Sequence, residues 1–236
     1  MYNKIKSFFK RGNKVDKLYS ERNYLDAYKE HTNLRVNTDP KAAIGGDWEL
    51  LGNLQKSFLI EEGLKPHNSL LDFGCGTLRA GRLLIPYLDK GNYTGIDISD
   101  GVIEEAKRMV EADTNLKNKN PIIIYNHDMD FEFKDLNGMK YDFIIAQSVV
   151  THLLDEHVQE IFNNLNRVMS DNSVFYFTAF INDNIIKMNV RNYKDVEYTT
   201  SFLRDTAEKN GYDIKECSKY KHPKGQTMFK VIRKNI

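Results

Sequence analysis

Cysteine, proline and tryptophan are all scarce in this chain: two, five and one among 236 residues. Two cysteines, Cys75 and Cys217, cannot build a disulfide framework, so a hydrophobic core must hold the fold. Their scarcity suits a reducing, cytoplasmic setting. Neither sign of charge dominates, since 34 Lys and Arg face 33 Asp and Glu for a formal net charge of +1. No global field therefore gathers nucleic acid or an anionic membrane. No basic stripe interleaved with aromatics marks an RNA or DNA face. No apolar run approaches the roughly 20 residues that span a bilayer. Residues 1–17 are basic but carry no apolar signal core or cleavage site. Zinc spacings and clustered metal carboxylates are missing, so no metal site is expected.

What is present is enough apolar material, 41% of residues, for one α/β domain with a modest appendage. Strands read at Ser69–Phe73, Asn92–Ile98, Ile122–Asn126, Tyr141–Gln147, Ser173–Ala179, Asp213–Ser218 and Thr227–Ile232, with helical patterns between most of them. That alternation predicts a doubly wound, mostly parallel seven-stranded sheet with helices on both faces. The last two strands have no helix between them and read as an antiparallel hairpin around Lys219–Gln226. Val158, Ile161, Phe162, Leu165, Val168 and Met169 repeat at helical spacing and are assigned to the core. Residues 1–49 read as a helical extension and residues 50–236 as the main domain. Within the extension, Ile5, Phe8 and Phe9 among lysines suit a short basic amphipathic helix.

The most informative stretch is Leu70-Leu71-Asp72-Phe73-Gly74-Cys75-Gly76-Thr77-Leu78-Arg79-Ala80-Gly81. It reads as a strand, a glycine turn and a helix start, where a backbone can approach a ligand that any Cβ would strike. Tyr93-Thr94-Gly95-Ile96 then ends in Asp97, twenty-one residues past Gly76. An acid at the tip of the second strand can accept both ribose hydroxyls. A dinucleotide turn wants a third glycine where Arg79 stands, and Gly81 comes two residues late. Asp72 would repel a pyrophosphate but suits a cofactor bearing ammonium and sulfonium charges.

This pattern resembles motif I of the class I S-adenosylmethionine-dependent methyltransferases. The resemblance implies the strand order 3-2-1-4-5-7-6 and S-adenosylmethionine as cofactor. It also implies cofactor contacts from Asp72, Gly74, Gly76, Thr77, Arg79, Asp97 and Ile98. After strand three, Asp128 matches the acid that takes the adenine amino group, and Met129 the apolar neighbour of the ring; a solvated loop carboxylate is the competing reading of Asp128. Gln147 and Ser148 end strand four, where the methionine part would lie. Trp48, behind Gly45 and Gly46, belongs to a lead-in that commonly folds over the cofactor, and a plain core anchor is its competing reading.

His152, shortly after strand four, is the catalytic candidate, because an alcohol nucleophile must lose its proton and imidazole accepts one near neutral pH. Its competing reading is a structural histidine at a helix start. Lys221 and His222 in the last hairpin, and Arg191 in the long connection 180–196, are candidate contacts to an anionic substrate, and a solvated hairpin tip is the competing reading of the first two. His31, His67 and His157 read as ordinary surface positions. No Asn- or Asp-Pro-Pro-Tyr motif and no Pro-Cys nucleophile end strand four, which argues against nucleobase methylation. The expected activity is O-methylation of a small hydroxylated or anionic metabolite or sugar precursor. Gly-Asp-Trp, Cys-Gly-Thr-Leu-Arg and His-Pro-x-Gly-Gln resemble bacterial surface-polysaccharide-pathway and secondary-metabolite methyltransferases. The alternatives are N-methylation of a small amine and a cofactor-binding module without catalysis. The expected partner is a small molecule, with no nucleic acid and no integral membrane association.

Overall fold

The computed structural model describes residues 15, 17–186, 188–190 and 194–234. The basic segment around Ile5, Phe8 and Phe9 and the candidate Arg191 lie outside the described residues.

Seven strands form the main sheet: β1 (Leu70–Phe73), β2 (Tyr93–Asp97), β3 (Ile122–Tyr125), β4 (Tyr141–Ala146), β5 (Met169–Ile181), β8 (Tyr212–Glu216) and β9 (Thr227–Arg233). Their order is β3-β2-β1-β4-β5-β9-β8, with the first five parallel and β9 antiparallel to both neighbours. With β8 and β9 as the sixth and seventh sheet strands, this is the expected order 3-2-1-4-5-7-6. Two short strands were not foreseen, β6 (Asn189–Val190) and β7 (Val196–Tyr198). They form within the connection read as a loop. β9 pairs with β5 only as far as Ala179, and β7 takes up the open edge at Phe180 and Ile181.

Alternation along the strands divides the core between two faces. Ile144, Phe175 and Phe177 point to one face, Phe143, Ile145 and Tyr176 to the other. The first face is covered by α7 (Asp155–Asn164), through Val158, Ile161 and Phe162, and by α8 (Thr200–Lys209), through Leu203 and Ala207. The second is covered by α3 (Trp48–Glu61), α4 (Gly81–Tyr87) and α5 (Asp100–Ala112), with α6 (Thr114–Asn118) beside them. The stripe from Val158 to Met169 is buried throughout, as expected.

The N-terminal helices position the site. α1 (Tyr24–Val36) starts at Asn23, whose side chain accepts the Leu25 amide hydrogen. It docks on the start of α5, where Asn33 Oδ1 accepts from Ser99 Oγ at 2.6 Å and from the Gly101 amide at 3.2 Å. α2 (Pro40–Ala43) has proline in its first turn and Asp39 as its cap, a strong start for one turn of helix. This extension lies across the carboxyl ends of β2 and β4. No helix among the described residues is long and apolar enough to cross a membrane.

Candidate functional site

A cavity of about 320 Å³ opens at the carboxyl ends of β1, β2, β4 and β5, roofed by α1 and residues 43–45. In an open parallel sheet this edge is where ligands bind. Among the residues named from sequence, Asp72, Gly74, Gly76, Arg79, Asp97, Ile98, Gln147, Ser148 and His152 all line it.

The glycine turn forms one wall. Gly74 and Gly76 have φ of +79° and +57°, the left-handed region that glycine enters without cost. A Cβ on Gly74 would stand 2.3 Å from Val149 Cγ2, and one on Gly76 would stand 2.9 Å from Ile44 Cγ2. Asp97 holds both backbone flanks together: Oδ2 accepts from the Gly76 amide and Oδ1 from the Ser99 amide, each at 3.0 Å. Burial raises its pKa, and these backbone bonds oppose the rise.

Asp72 is 2% exposed and accepts the Tyr93 hydroxyl at 2.7 Å. Burial lifts its carboxyl from 3.8 to about 6, against the Tyr93 hydrogen bond and nearby Arg79. Gly81 now has a reason. A Cβ there would meet Tyr93 Oη at 2.5 Å, so this glycine makes room for the hydroxyl that serves Asp72.

Arg79 is a buried clamp. Its Nη1 donates to the carbonyls of Ile44 at 3.0 Å and Gly46 at 3.3 Å, pressing this strap down onto Gly76. The strap turns through Gly45, Gly46 and Asp47, all at positive φ. From the last hairpin, Lys224 Nζ donates to the Gly45 carbonyl and pairs with Asp47 at 3.4 Å. Thr77 Oγ1 donates to the Pro40 carbonyl at 3.2 Å and faces away from the cavity. Trp48 lies outside the lining too: its ring packs between Lys41 and Arg82, each 5.5 Å from the centroid. Thr77 and Trp48 thus anchor the strap from behind, and Ile44 and Gly45 supply the surface expected of Trp48.

At the tip of β3 the structure differs from the expectation. Asp128 is exposed and pairs only with exposed His127, and Met129 at φ +52° turns toward the hydrophobic core. Neither reaches the cavity. The cause is Asn126, whose Nδ2 donates to the Asp130 carbonyl at 2.7 Å and closes a tight loop that throws its tip outward. Asn126 itself lines the cavity with Phe131 and Ile98, 4% exposed, and its Oδ1 is buried without a partner.

The opposite end carries the polar network. Tyr220 donates to Gln147 Oε1 at 2.7 Å, and Ser148 sits at φ +57° with its amide on Thr178 Oγ1 at 2.7 Å. His152 Nδ1 lies 2.9 Å from the Lys194 carbonyl and 3.3 Å from Asp195 Oδ1. A carbonyl only accepts, so Nδ1 carries the hydrogen and Nε2 keeps a lone pair in neutral imidazole. Tyr28 from α1 packs on the His152 ring at 4.9 Å and lines the cavity, as do Lys194 and Asp195. Sequence reading missed these three, because nothing local places α1 or the β6–β7 connection over His152.

Other candidates are corrected. His222 is buried; its Nδ1 accepts the Lys224 amide at 3.2 Å, and burial, with help from Arg79 and Lys224, holds its pKa down to about 4. Neutral at pH 7 and outside the lining, it cannot hold an anion by charge. Lys221 is exposed and outside the cavity, which Lys224 reaches instead. Tyr220, packed on Phe58 at 4.8 Å, draws the hairpin inward and turns these side chains away. His31 is buried and His157 half-buried against the Tyr24 hydroxyl at 2.5 Å, so neither is an ordinary surface histidine. His67 is exposed.

Comparison with known proteins agrees with this geometry. Residues 71–175 match the family model described as a methyltransferase domain. Magnesium protoporphyrin IX methyltransferase from Synechocystis, solved with bound S-adenosylmethionine, superposes with a TM-score of 0.66 at 17% identity, covering 90% of this chain and 98% of that one. The glycopeptide N-methyltransferase MtfA gives 0.60 at 9% identity over 78% and 94%. An S-adenosylmethionine-dependent methyltransferase from Clostridium acetobutylicum gives 0.60 at 14% identity over 86% and 98%. The fold is the Rossmann-like one of these methyltransferases. Residues 71–175, the segment similar to a methyltransferase domain, contain Asp72, Asp97 and β4.

Proposed function

We propose that this cavity binds S-adenosylmethionine and directs its methyl group to an oxygen of a small hydroxylated or anionic metabolite, such as a sugar precursor of a surface-polysaccharide pathway. When bound, this cofactor supplies an electrophilic methyl group on a cationic sulfur. The residues present fit it. The Gly74–Gly76 cradle leaves space that a Cβ would fill, and Asp97 is held by two amides with its carboxylate at the wall, suited to ribose hydroxyls. Asp72 offers a buried carboxylate to the ammonium. The orphaned Asn126 Oδ1 takes the adenine amino group in place of Asp128. Gln147 and Ser148 flank the methionine part.

The observation that carries the catalytic reading is the orientation of His152. Its Nδ1 is committed to the Lys194 carbonyl beside Asp195, which leaves Nε2 as a base at the cavity wall. A base so held removes the proton of an acceptor hydroxyl as the new bond forms. Lys194 and Lys224 on the same wall suit acidic groups elsewhere on the acceptor. The test is His152→Ala: turnover falls by about 10²–10⁴ while S-adenosylhomocysteine affinity measured by calorimetry stays near wild type. Unchanged turnover, or lost cofactor binding, would remove His152 from the chemistry.

A further inference from the structure

Gln226 is a cavity residue whose chemistry the function above leaves unused. It immediately precedes β9 and is buried, and its Oε1 accepts from Thr178 Oγ1 at 2.7 Å and from Ser148 Oγ at 3.0 Å. The orientation of the amide follows from the network. Thr178 Oγ1 receives the Ser148 amide hydrogen at 2.7 Å, so its own hydroxyl hydrogen is free to point at Gln226. The oxygen of the Gln226 amide is the atom placed against both this hydroxyl and that of Ser148. The Gln226 NH2 is then left with no partner among the described residues, on a side chain that lines the cavity. Ser148 holds this arrangement in a left-handed backbone at the tip of β4, four residues before His152. Strain of that kind persists only where its surroundings enforce it.

We propose that the Gln226 amide binds the acceptor atom and thereby selects oxygen over nitrogen. The proposal rests on the methyltransferase reading above and narrows its acceptor. A neutral amine has one lone pair, which the methyl group takes, and nothing remains for an N–H donor. A hydroxyl oxygen has two lone pairs and one hydrogen. It spends one pair on the new C–O bond, accepts from Gln226 Nε2 with the other, and gives its proton to His152 Nε2. A wall offering one donor and one acceptor matches a hydroxyl and mismatches an amine.

The test uses the full chain with S-adenosylmethionine labelled in the methyl carbon with ¹³C and the small-molecule extract of its source cells. The ¹³C shift of the product methyl distinguishes O–CH3 from N–CH3. The expected label is on oxygen. Gln226→Met removes the donor at similar size, and Gln226→Glu replaces it with an acceptor while keeping an oxygen for Thr178 and Ser148. Both should lower transfer by about tenfold or more, the effect of one directed hydrogen bond, while thermal melting is retained. S-adenosylhomocysteine affinity should stay within about threefold, less than 1 kcal/mol. A methyl on nitrogen, or wild-type rates in both variants, overturns the assignment. Lost S-adenosylhomocysteine binding by the wild-type chain would instead overturn the cofactor reading beneath it.

Discussion

Asp72→Asn separates stability from binding at one atom. Burial raises the Asp72 carboxyl from 3.8 to about 6, so the folded state resists its ionisation. Below pH 3.8 the group is neutral in both states and contributes nothing. As pH rises from there the unfolded chain ionises first, and stability is lost until pH passes about 6. Above that the whole penalty is present, roughly 3 kcal/mol at about 1.4 kcal/mol per pH unit. Asparagine keeps an oxygen for the Tyr93 hydroxyl and carries no charge. The ligand-free variant should therefore be more stable than wild type at pH 7 by up to about 3 kcal/mol, and equal to it near pH 3. Chemical denaturation at both pH values measures this. Binding should move the other way, because in the proposed complex the carboxylate meets the ammonium. Wild-type affinity for S-adenosylhomocysteine should weaken about tenfold between pH 7 and pH 5, and the variant should bind weakly with no such trend. A variant that is less stable at pH 7, or that binds as tightly as wild type, would show that Asp72 is a packing group and not a cofactor ligand.

Two further outcomes test the opposite end of the cofactor. Asp97→Ala should weaken S-adenosylhomocysteine by about 1.5–3 kcal/mol in calorimetry, the range for hydrogen bonds to a charged acceptor. Because Asp97 also ties the Gly76 and Ser99 amides together, hydrogen exchange at those two amides should quicken in the same variant. S-inosylhomocysteine, which has a carbonyl in place of the adenine amino group, should bind wild type at least about tenfold more weakly than S-adenosylhomocysteine, since it leaves Asn126 Oδ1 unpaired. Asn126→Ala should shrink that gap; a gap of wild-type size would return the adenine edge to another residue.

The fold was legible because its signals are local. Short apolar strands such as Leu70–Phe73 and Tyr141–Ala146, punctuated by glycine and separated by helical stripes, state their own geometry. The strand order came from the likeness of Asp72–Gly81 to a known motif. The β6–β7 ribbon was illegible, because it exists only where β9 stops short of the end of β5. Such an edge is a property of the assembled sheet. No pattern in residues 189–198 announces it.

The same division runs through the site. Apart from His152, on the short turn Val150–His152 that follows β4, the residues named from sequence that line the cavity sit on the glycine turn or at a strand tip, where topology alone sends a side chain to the carboxyl edge. Those that do not line it, Thr77, Trp48, Asp128, Met129, Lys221 and His222, depend on how a segment is held by something distant. Asp128 turns outward because Asn126 closes its loop on Asp130, and His222 turns inward because Tyr220 is drawn to Gln147 and Phe58. Arg79 shows both effects in one residue. Its position after the glycine turn was legible, but its work is to hold the carbonyls of Ile44 and Gly46 from thirty-five and thirty-three residues away. The strap is therefore held from two sides, by the turn that carries Arg79 just before α4 and by Lys224 in the last hairpin. A chain that loses the glycine turn loses one of its roof's two anchors.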